Sequence, residues 1–331
     1  MTTMAYSIAG ALLPIAVTLL LGFVGAWRGD FRREDASILN RLVLTYALPL
    51  VLFAGTMNTT RANLIHDVPL LIVLCIAIIG MYGVVFLSSR VVFAVSTSTS
   101  ALAALAASAP AVPFMGPAIL GHFFGQTSAI PIAIASLVIN LTVVPATILF
   151  LSLDSVSGSR HGKHPAAQGG ESVVPRRKVL SAIAGKLGET VQQPLVWAPV
   201  VAFAVVLSDV AIPPLLLDAL SLLGHATAGV SLFAAGVVLA SNRVNTSWQV
   251  MLLVLLKNVV QPALVLGGMR WLGYGDPILS EAVLTTAIPV MPIVAMFALE
   301  YRIAEALAAS SLFFSVISSV ITLAVFIVLT S

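Results

Sequence analysis

Two proline-broken segments interrupt the apolar stretches of this chain. The first reads SAPAVPFMGP from Ser108, and the second reads AIPVMP from Ala287. A proline inside a helix removes a backbone hydrogen bond and clashes with the preceding turn. Within lipid, such broken backbone is tolerated only where it is buried in protein or lines a watery cavity. Two breaks at corresponding places of two half-chains are typical of the substrate site of a secondary transporter.

The composition predicts an all-α integral membrane protein. The 331 residues are 59% hydrophobic and 9% charged, whereas a soluble domain carries about 25% charged residues. No Lys, Arg, Asp or Glu occurs between Arg90 and Asp154, an interval with room for two spans of about 20 residues each. The single Cys75 and the lack of a phosphate-binding loop favour neither a metal centre nor ATP-driven chemistry. We therefore expect no enzyme, no cofactor and, without a basic stripe, no nucleic-acid partner.

The apolar segments predict ten transmembrane helices. The expected spans are 5–27, 37–57, 68–89, 98–121, 127–152, 192–209, 214–240, 247–271, 279–300 and 303–329. Residues 1–152 would form the first five-helix repeat and residues 191–331 the second. Residues 153–190 are the only long polar stretch and predict a cytoplasmic linker between the repeats.

The basic residues predict the orientation of these spans. On this span assignment, Arg61 and Arg270 fall on one side, Lys257 falls within a span, and the other 13 of the 16 Lys and Arg residues fall on the opposite side. Basic residues accumulate in cytoplasmic loops. The side with 13 is therefore expected to be cytoplasmic, with both termini outside.

Short matches between the halves predict an internal repeat. LFAG from Leu52 resembles LFAAG from Leu232, PFM from Pro113 resembles PVM from Pro289, and Ser136-Leu137 resembles Ser311-Leu312. The offsets are 180, 176 and 175 residues (232 − 52, 289 − 113 and 311 − 136). Because five is an odd number of spans, the second half enters the membrane from the opposite side. The result is an inverted repeat in which spans 4 and 9 are broken and cross.

Lys257 is the ionisable residue predicted deepest within a span. It lies about ten residues into the segment from 247, or about 15 Å along a helix. A charge at that depth is costly and marks a functional site by default. Lys257 would attract a carboxylate substrate or cycle between charged and neutral forms; the alternative is a lysine that snorkels to the interface.

The broken helices supply the other candidate groups. Half-helix N-termini near the midplane favour anionic groups. Asn258 and Gln261 are three residues apart and share a helix face, although each polar residue alone could simply join helices together. The predicted substrate-binding residues are Ser108, Pro110, Pro113, Asn140, Lys257, Asn258, Gln261, Thr286, Pro289 and Pro292.

Three motifs resemble the auxin efflux carrier family of secondary transporters, in particular its bacterial branch of malonate or other organic-acid carriers. They are the stretch from Pro289 through Glu300-Tyr301 to Ala308-Ala309-Ser310-Ser311, the Lys257-x4-Pro262 spacing, and Ala107-Ser108-Ala109-Pro110 with Phe114-Met115-Gly116. The resemblance implies a scaffold of spans 1, 2, 6 and 7 and a mobile core of spans 3–5 and 8–10. It also implies an elevator-like motion and dimerisation through the scaffold.

Two positions depart from that family pattern. Many relatives carry Asn where this chain has Ala111 and Ile293. With both amides replaced, backbone groups and Lys257 would do more of the recognition.

The sequence thus predicts a carrier of a small organic anion, a malonate-like mono- or dicarboxylate. Its coupling ion would be H+ or Na+, its surroundings membrane lipid, and its state a homodimer in the inner (plasma) membrane of a bacterium. The alternative is a sodium-coupled organic-anion symporter resembling the bile-acid symporters, which share the inverted layout. A channel would need repeated rings of carbonyls or charges and is the less favoured alternative.

Overall fold

The protein is helical throughout the residues that the computed structural model describes, which are 2–57, 67–158, 194–208, 212–241 and 246–330. The α-helices are α1 Thr2–Trp27, α2 Arg33–Leu42, α3 Leu48–Met57, α4 Val68–Val91, α5 Thr97–Ser108, α6 Val112–Phe124, α7 Ala129–Val138, α8 Val144–Gly158, α9 Pro194–Leu207, α10 Pro214–Ser241, α11 Trp248–Leu255, α12 Gln261–Trp271, α13 Ile278–Ala287, α14 Ile293–Tyr301 and α15 Glu305–Leu329. A 3₁₀ turn, Gly125–Ser128, joins α6 to α7.

Three of the long helices contain a π-helical turn directly before a proline. The turns are Val43–Ala47 between α2 and α3, Ile139–Val143 between α7 and α8, and Leu256–Val260 between α11 and α12. In each helix a proline follows two residues later, at Pro49, Pro145 and Pro262. A proline ring clashes with the carbonyl four residues earlier, and a wider turn makes room for it. Lys257 and Asn140 both lie on these π turns.

The helices confirm a multi-pass membrane protein. Six continuous helical segments among the described residues are long and apolar enough to cross a membrane: Arg33–Ala54, Val68–Val91, Ala129–Ser152, Leu215–Ser241, Trp248–Trp271 and Glu305–Leu329. The other predicted spans fall on α1, on α9 and on the two broken pairs α5–α6 and α13–α14. Most of the predicted linker, residues 159–190, lies outside the described residues.

Helices α1 and α10 cross in close contact at two glycines. A Cβ placed on Gly22 would lie 2.1 Å from the carbonyl oxygen of Phe233, and one on Gly236 would lie 2.1 Å from that of Leu19. Small residues allow backbones to approach in this way, which is the common means of helix association in lipid. Helix α10 also packs on α2 and α3, and α3 packs on α9.

The remaining helices pack chiefly on one another. Helix α4 packs on α5 and α7, α5 packs on α8, α12 packs on α13, and α15 packs on α11 and α14. The broken pairs lie at the centre of this group. Residues 100–112 and 279–299 are buried without exception, so both breaks are surrounded by protein and their freed backbone groups are shielded from lipid.

Candidate functional site: the crossing of two broken helices

The link between α5 and α6 pairs with the link between α13 and α14. Pro110 and Val290 form an isolated antiparallel bridge. Its two hydrogen bonds run from Ala111 N–H to Pro289 O, at 2.9 Å, and from Met291 N–H to Ala109 O, at 3.2 Å. Extended backbone at this depth would otherwise leave buried donors and acceptors unpaired. The two links thus satisfy each other, and the crossing is a single unit.

When the two breaks are aligned by the ends of their first half-helices, Pro113 does not correspond to Pro289 as the sequence match predicted. The first half-helices end at Ser108 and Ala287, 179 residues apart (287 − 108). Pro113 lies in the first turn of α6, where a proline loses no helical hydrogen bond. Pro289 lies in the extended link and contributes its carbonyl to the bridge. The two prolines therefore hold different local roles.

Lys257 binds the carboxyl-terminal end of the half-helix α13. Its Nζ donates to the carbonyl oxygen of Thr286 at 2.6 Å, and the residue is 0% exposed. The last carbonyls of a helix have no intrahelical partner and carry the negative end of the helix dipole. An ammonium group is a favourable partner there. The structure therefore excludes the snorkelling alternative for Lys257.

Gln261 binds the carboxyl-terminal end of the other half-helix, α5. Its Nε2 donates to the carbonyl oxygen of Ser108 at 2.9 Å and to that of Ala77 at 3.2 Å. Lys257 lies within the π turn, and Gln261, four residues later, is the first residue after it. One helix thus supplies the donors for both half-helix ends.

Asn258 and Ser315 hold the second link from the opposite side. The Asn258 amide donates to the Ser315 carbonyl at 2.7 Å, and the Ser315 hydroxyl donates to Asn258 Oδ1 at 2.7 Å. The same hydroxyl accepts the Val290 N–H at 3.0 Å. Sequence reasoning named Asn258 but missed Ser315. The available signal was a serine every fourth residue along α15, at 311, 315 and 319.

Some polar atoms beside the crossing are buried without a hydrogen-bond partner in the described part of the chain. They are Ser108 Oγ, Gln261 Oε1 and Thr285 Oγ1. Buried polar atoms are nearly always paired, so unpaired groups clustered at one crossing are candidates for contact with a bound molecule. Ser108 and Gln261 are bonded to each other through the Ser108 carbonyl and the Gln261 Nε2. Thr285 directly precedes Thr286, whose carbonyl accepts from Lys257.

The predicted site residues divide between the crossing and its surroundings. Pro110 and Pro289 form the links themselves, and Pro292 is the N-cap of α14. Asn140 is buried on the π turn between α7 and α8, and neither atom of its amide group has a hydrogen-bond partner among the described residues. No hydrogen bond of the described residues joins Asn140 to the crossing.

The crossing has a small cavity on the side of α10. A cavity of about 10 Å³ lies there, lined by apolar side chains that include Ala111, Val290 and Leu232. That volume holds at most about one water molecule. Ala111 and Ile293 are both buried at the starts of second half-helices.

Larger cavities lie elsewhere among the described residues, and the first of them reaches Gln261 beside the crossing. A groove of about 520 Å³ between α4 and α11–α12 is lined almost wholly by apolar side chains. Exposed Ile76 and Leu264 flank it, so this groove faces lipid and is a poor site for an anion. The second cavity, of about 300 Å³, lies between the end of α2 and the end of α14 and is lined by Arg41, Glu300 and Tyr301, among others.

Broken half-helices crossing at the buried centre of a multi-pass helical protein define a class, the membrane transporters. The chain belongs to the family described as membrane transport protein, the auxin efflux carrier family, whose model matches residues 7–327. It is 30% identical over 263 residues to the "uncharacterized transporter YfdV" of Escherichia coli strain K12, covering 78% of each chain. The proteins of that name from Escherichia coli O157:H7 and Shigella flexneri match equally well. These names are those of a transporter and not of an enzyme, and the family match confirms the resemblance to the auxin efflux carrier family.

Proposed function

We propose that this protein is a secondary active transporter of a small organic anion, a malonate-like mono- or dicarboxylate, and that it works by alternating access. The observation that carries the proposal is the fully buried Lys257 amino group at the crossing of two broken helices. An ionisable group buried within a span is costly, and such groups are found mainly where a substrate or an ion passes or is recognised. Since the family is one of transporters, recognition of a negative charge is the function that uses this group.

Lys257 and its neighbours have donors to spare for such a ligand. An ammonium has three N–H donors, and the Thr286 carbonyl engages one of them. The unpaired hydroxyls of Ser108 and Thr285 are further donors beside the crossing. A carboxylate accepts several hydrogen bonds at once, so these three groups would bind one carboxylate of the substrate.

The small size of the cavity beside the crossing supports a mechanism in which part of the protein moves. Because the space beside the crossing holds about one water molecule, a dicarboxylate can enter only if the crossing moves relative to α10. The packing favours this division, since α1, α2, α3, α9 and α10 pack mainly on one another. We propose that the protein has ten spans in two inverted repeats and that these five helices form its scaffold. The other helices would form an elevator-like core. The scaffold would also form the contact between the two subunits of a homodimer.

The orientation is proposed from charge alone. Arg28, Arg33 and Arg302 lie at helix ends on the side taken as cytoplasmic, and Arg41 lies eight residues into the continuous helix that begins at Arg33. Arg41 lines the cavity between α2 and α14 together with Glu300, and its positive charge would attract an anion there. In a bacterium the membrane would be the inner one.

Counterflow in proteoliposomes tests the transport function. Vesicles loaded with one unlabelled carboxylate are expected to accumulate the labelled form transiently, and malonate should compete better than an uncharged analogue of similar size. A carrier shows this trans-stimulation, whereas a channel does not. Absence of counterflow for every mono- and dicarboxylate in the panel would count against an organic-anion carrier.

Cysteine labelling tests the orientation. In a Cys75→Ser background, Thr246→Cys should react with an impermeant reagent only after the cells are opened, and Gly275→Cys should react in intact cells. Both positions are exposed and lie in loops at opposite ends of α11–α12. The reverse pattern would invert the proposed topology.

A further inference from the structure

We propose that the groove between α4 and α11–α12 binds a phospholipid, with one acyl chain in the groove and the phosphate at the end of the groove near Arg90. The inference goes beyond the proposed function and does not depend on which substrate is carried. It rests on the course of the groove, on a polar cavity that adjoins it, and on a glycine that leaves it open.

The groove runs along two segments that are long and apolar enough to cross a membrane, Val68–Val91 and Trp248–Trp271. Its volume is about 520 Å³, and its lining residues are apolar except for Ser88 and Gln261. Exposed Ile76 is one of them, so the groove is open to the lipid side of α4. Water in such a space would find too few polar partners. The hydrocarbon chain of a lipid is therefore the occupant that fits it.

A smaller cavity of about 140 Å³, here called the end cavity, adjoins the groove where α4 ends and α11 begins. The two cavities have four lining residues in common, Val85, Ser88, Leu252 and Leu256. Polar side chains also line the end cavity, namely Ser89, Thr99 and Gln249. Trp248 lines it as well, with its ring centroid 5.3 Å from that of Phe93. Because tryptophan is enriched at the level of lipid headgroups, the apolar groove leads to a polar end at the depth of a headgroup.

Arg90 supplies a positive charge at the end cavity. It is exposed in the last turn of α4, and its Nη1 donates to the carbonyl oxygen of Val95, a residue that lines the end cavity, at 2.7 Å. A guanidinium has five N–H donors in a fork that matches the oxygens of a phosphate. Among the described residues that line the groove and the end cavity, none is Asp or Glu. The charge at this end is thus complementary to the phosphate of a phospholipid.

The length of the groove fits one acyl chain. Trp248 and Gln261 are 13 residues apart (261 − 248), or about 20 Å along the helix. One leaflet of hydrocarbon is about 15 Å thick, half of the bilayer core. A chain with its phosphate at Arg90 would therefore end near Gln261. Since Gln261 bonds the Ala77 carbonyl of α4 and the Ser108 carbonyl at the end of α5, the chain would pack beside the contact that joins the groove to the crossing.

Gly80 keeps the groove open and offers a matched pair of variants. It lines the groove, and a Cβ placed on it would meet nothing within 4 Å. Gly83, also on α4, has the same free space for a Cβ but is not a lining residue of the groove. A large side chain at position 80 would therefore fill the groove, whereas one at position 83 would lie outside it.

Photo-crosslinking tests the inference without any substrate. The purified protein in detergent micelles receives phosphatidylglycerol with a diazirine on one acyl chain, and mass spectrometry maps the labelled residues. Labelling should be at least about threefold higher at Ile76 and Val84, which line the groove, than at Ile72 and Leu87, which are similarly exposed on α4 outside it. Gly80→Phe should remove this excess and Gly83→Phe should keep it. Should Gly80→Phe fail to fold, Gly80→Leu carries the same expectation.

Recognition of the phosphate is tested with a second probe. Diacylglycerol with the same diazirine chain lacks the phosphate and should label the groove less than phosphatidylglycerol does, and Arg90→Gln should lower groove labelling by phosphatidylglycerol. Equal labelling inside and outside the groove would overturn the inference and indicate non-specific lipid contact. So would an excess that survives Gly80→Phe, or diacylglycerol and phosphatidylglycerol labelling the groove equally. Because none of these measurements involves transport, failure of counterflow would leave the lipid site standing.

Discussion

The two breaks use the same backbone device with different donors. At each break a half-helix ends, an extended link pairs with the other link, and a second half-helix begins. The first carboxyl-terminal end is bound by the neutral amide of Gln261, the second by the ammonium of Lys257. Within the part of the chain that the structure describes, the second link alone has a further hydrogen bond from its backbone to a side chain, from Val290 N–H to Ser315 Oγ. The comparison shows that backbone geometry can be shared between the breaks while an ionisable donor is confined to one.

Lys257→Ala removes the donor that distinguishes the second break from the first, and it is expected to have the largest effect on uptake. Loss of a charged partner of a buried carbonyl, together with the proposed anion contact, should lower uptake by about tenfold or more. Lys257→Arg should retain little activity, because the flat guanidinium differs in shape from the compact ammonium. Initial uptake rates, normalised to the amount of folded protein, measure both effects. Uptake within about twofold of wild type in Lys257→Ala would reduce this residue to a structural role.

The next effect separates the prolines of the two breaks. Pro289→Ala should lower uptake more than stability, because an alanine lets the extended link at the second break drift toward helix. Pro113→Ala should lower uptake less, since Pro113 already lies in the first turn of α6. Uptake and melting temperature are measured for both variants and for Pro49→Ala, whose proline follows a π turn outside the crossing. If Pro49→Ala costs as much uptake as Pro289→Ala, these prolines act as general kinks.

Gln261→Ala should affect stability more than transport. The variant removes hydrogen bonds to the Ser108 and Ala77 carbonyls, which should destabilise the fold by about 1–3 kcal/mol. Because no charge is lost, uptake by the folded fraction should fall less than in Lys257→Ala. Thermal unfolding in detergent and uptake in vesicles together decide the order. Equal loss of uptake in Gln261→Ala and Lys257→Ala would mean that transport needs only a hydrogen-bond donor at each half-helix end and not the charge of Lys257.

The smallest effect concerns the support of the second link. Asn258→Ala and Ser315→Ala each remove part of one hydrogen-bonded group. Their effects on unfolding free energy should not add, with an interaction energy of about 0.5–1.5 kcal/mol in a double-mutant cycle. Ser319→Ala, on the same helix with a hydroxyl bonded to its own helix backbone, is the control. Additive losses for Asn258 and Ser315 would show that they act independently.

Much of this arrangement could be predicted from the sequence. Hydropathy and proline positions indicated where the helices and their breaks lie, and the depth of Lys257 in its span marked it as buried. The partners of Lys257 could not be predicted, because the Thr286 and Ser108 carbonyls belong to helices that meet it only in three dimensions. Asn140 was grouped with the crossing by residue type, and its position on the π turn between α7 and α8 gives it no hydrogen bond there.

The π turn at Leu256–Val260 has a consequence for how this helix is read from its sequence. An α-helix advances by about 100° per residue, so one extra residue in a turn rotates everything after it by about that angle. A helical wheel drawn through the whole of 248–271 would therefore place Trp248 and Arg270 on wrong faces relative to each other. Deleting Val259 or Val260 should restore a regular helix and turn Lys257 away from Thr286, although every side chain named at the site would still be present.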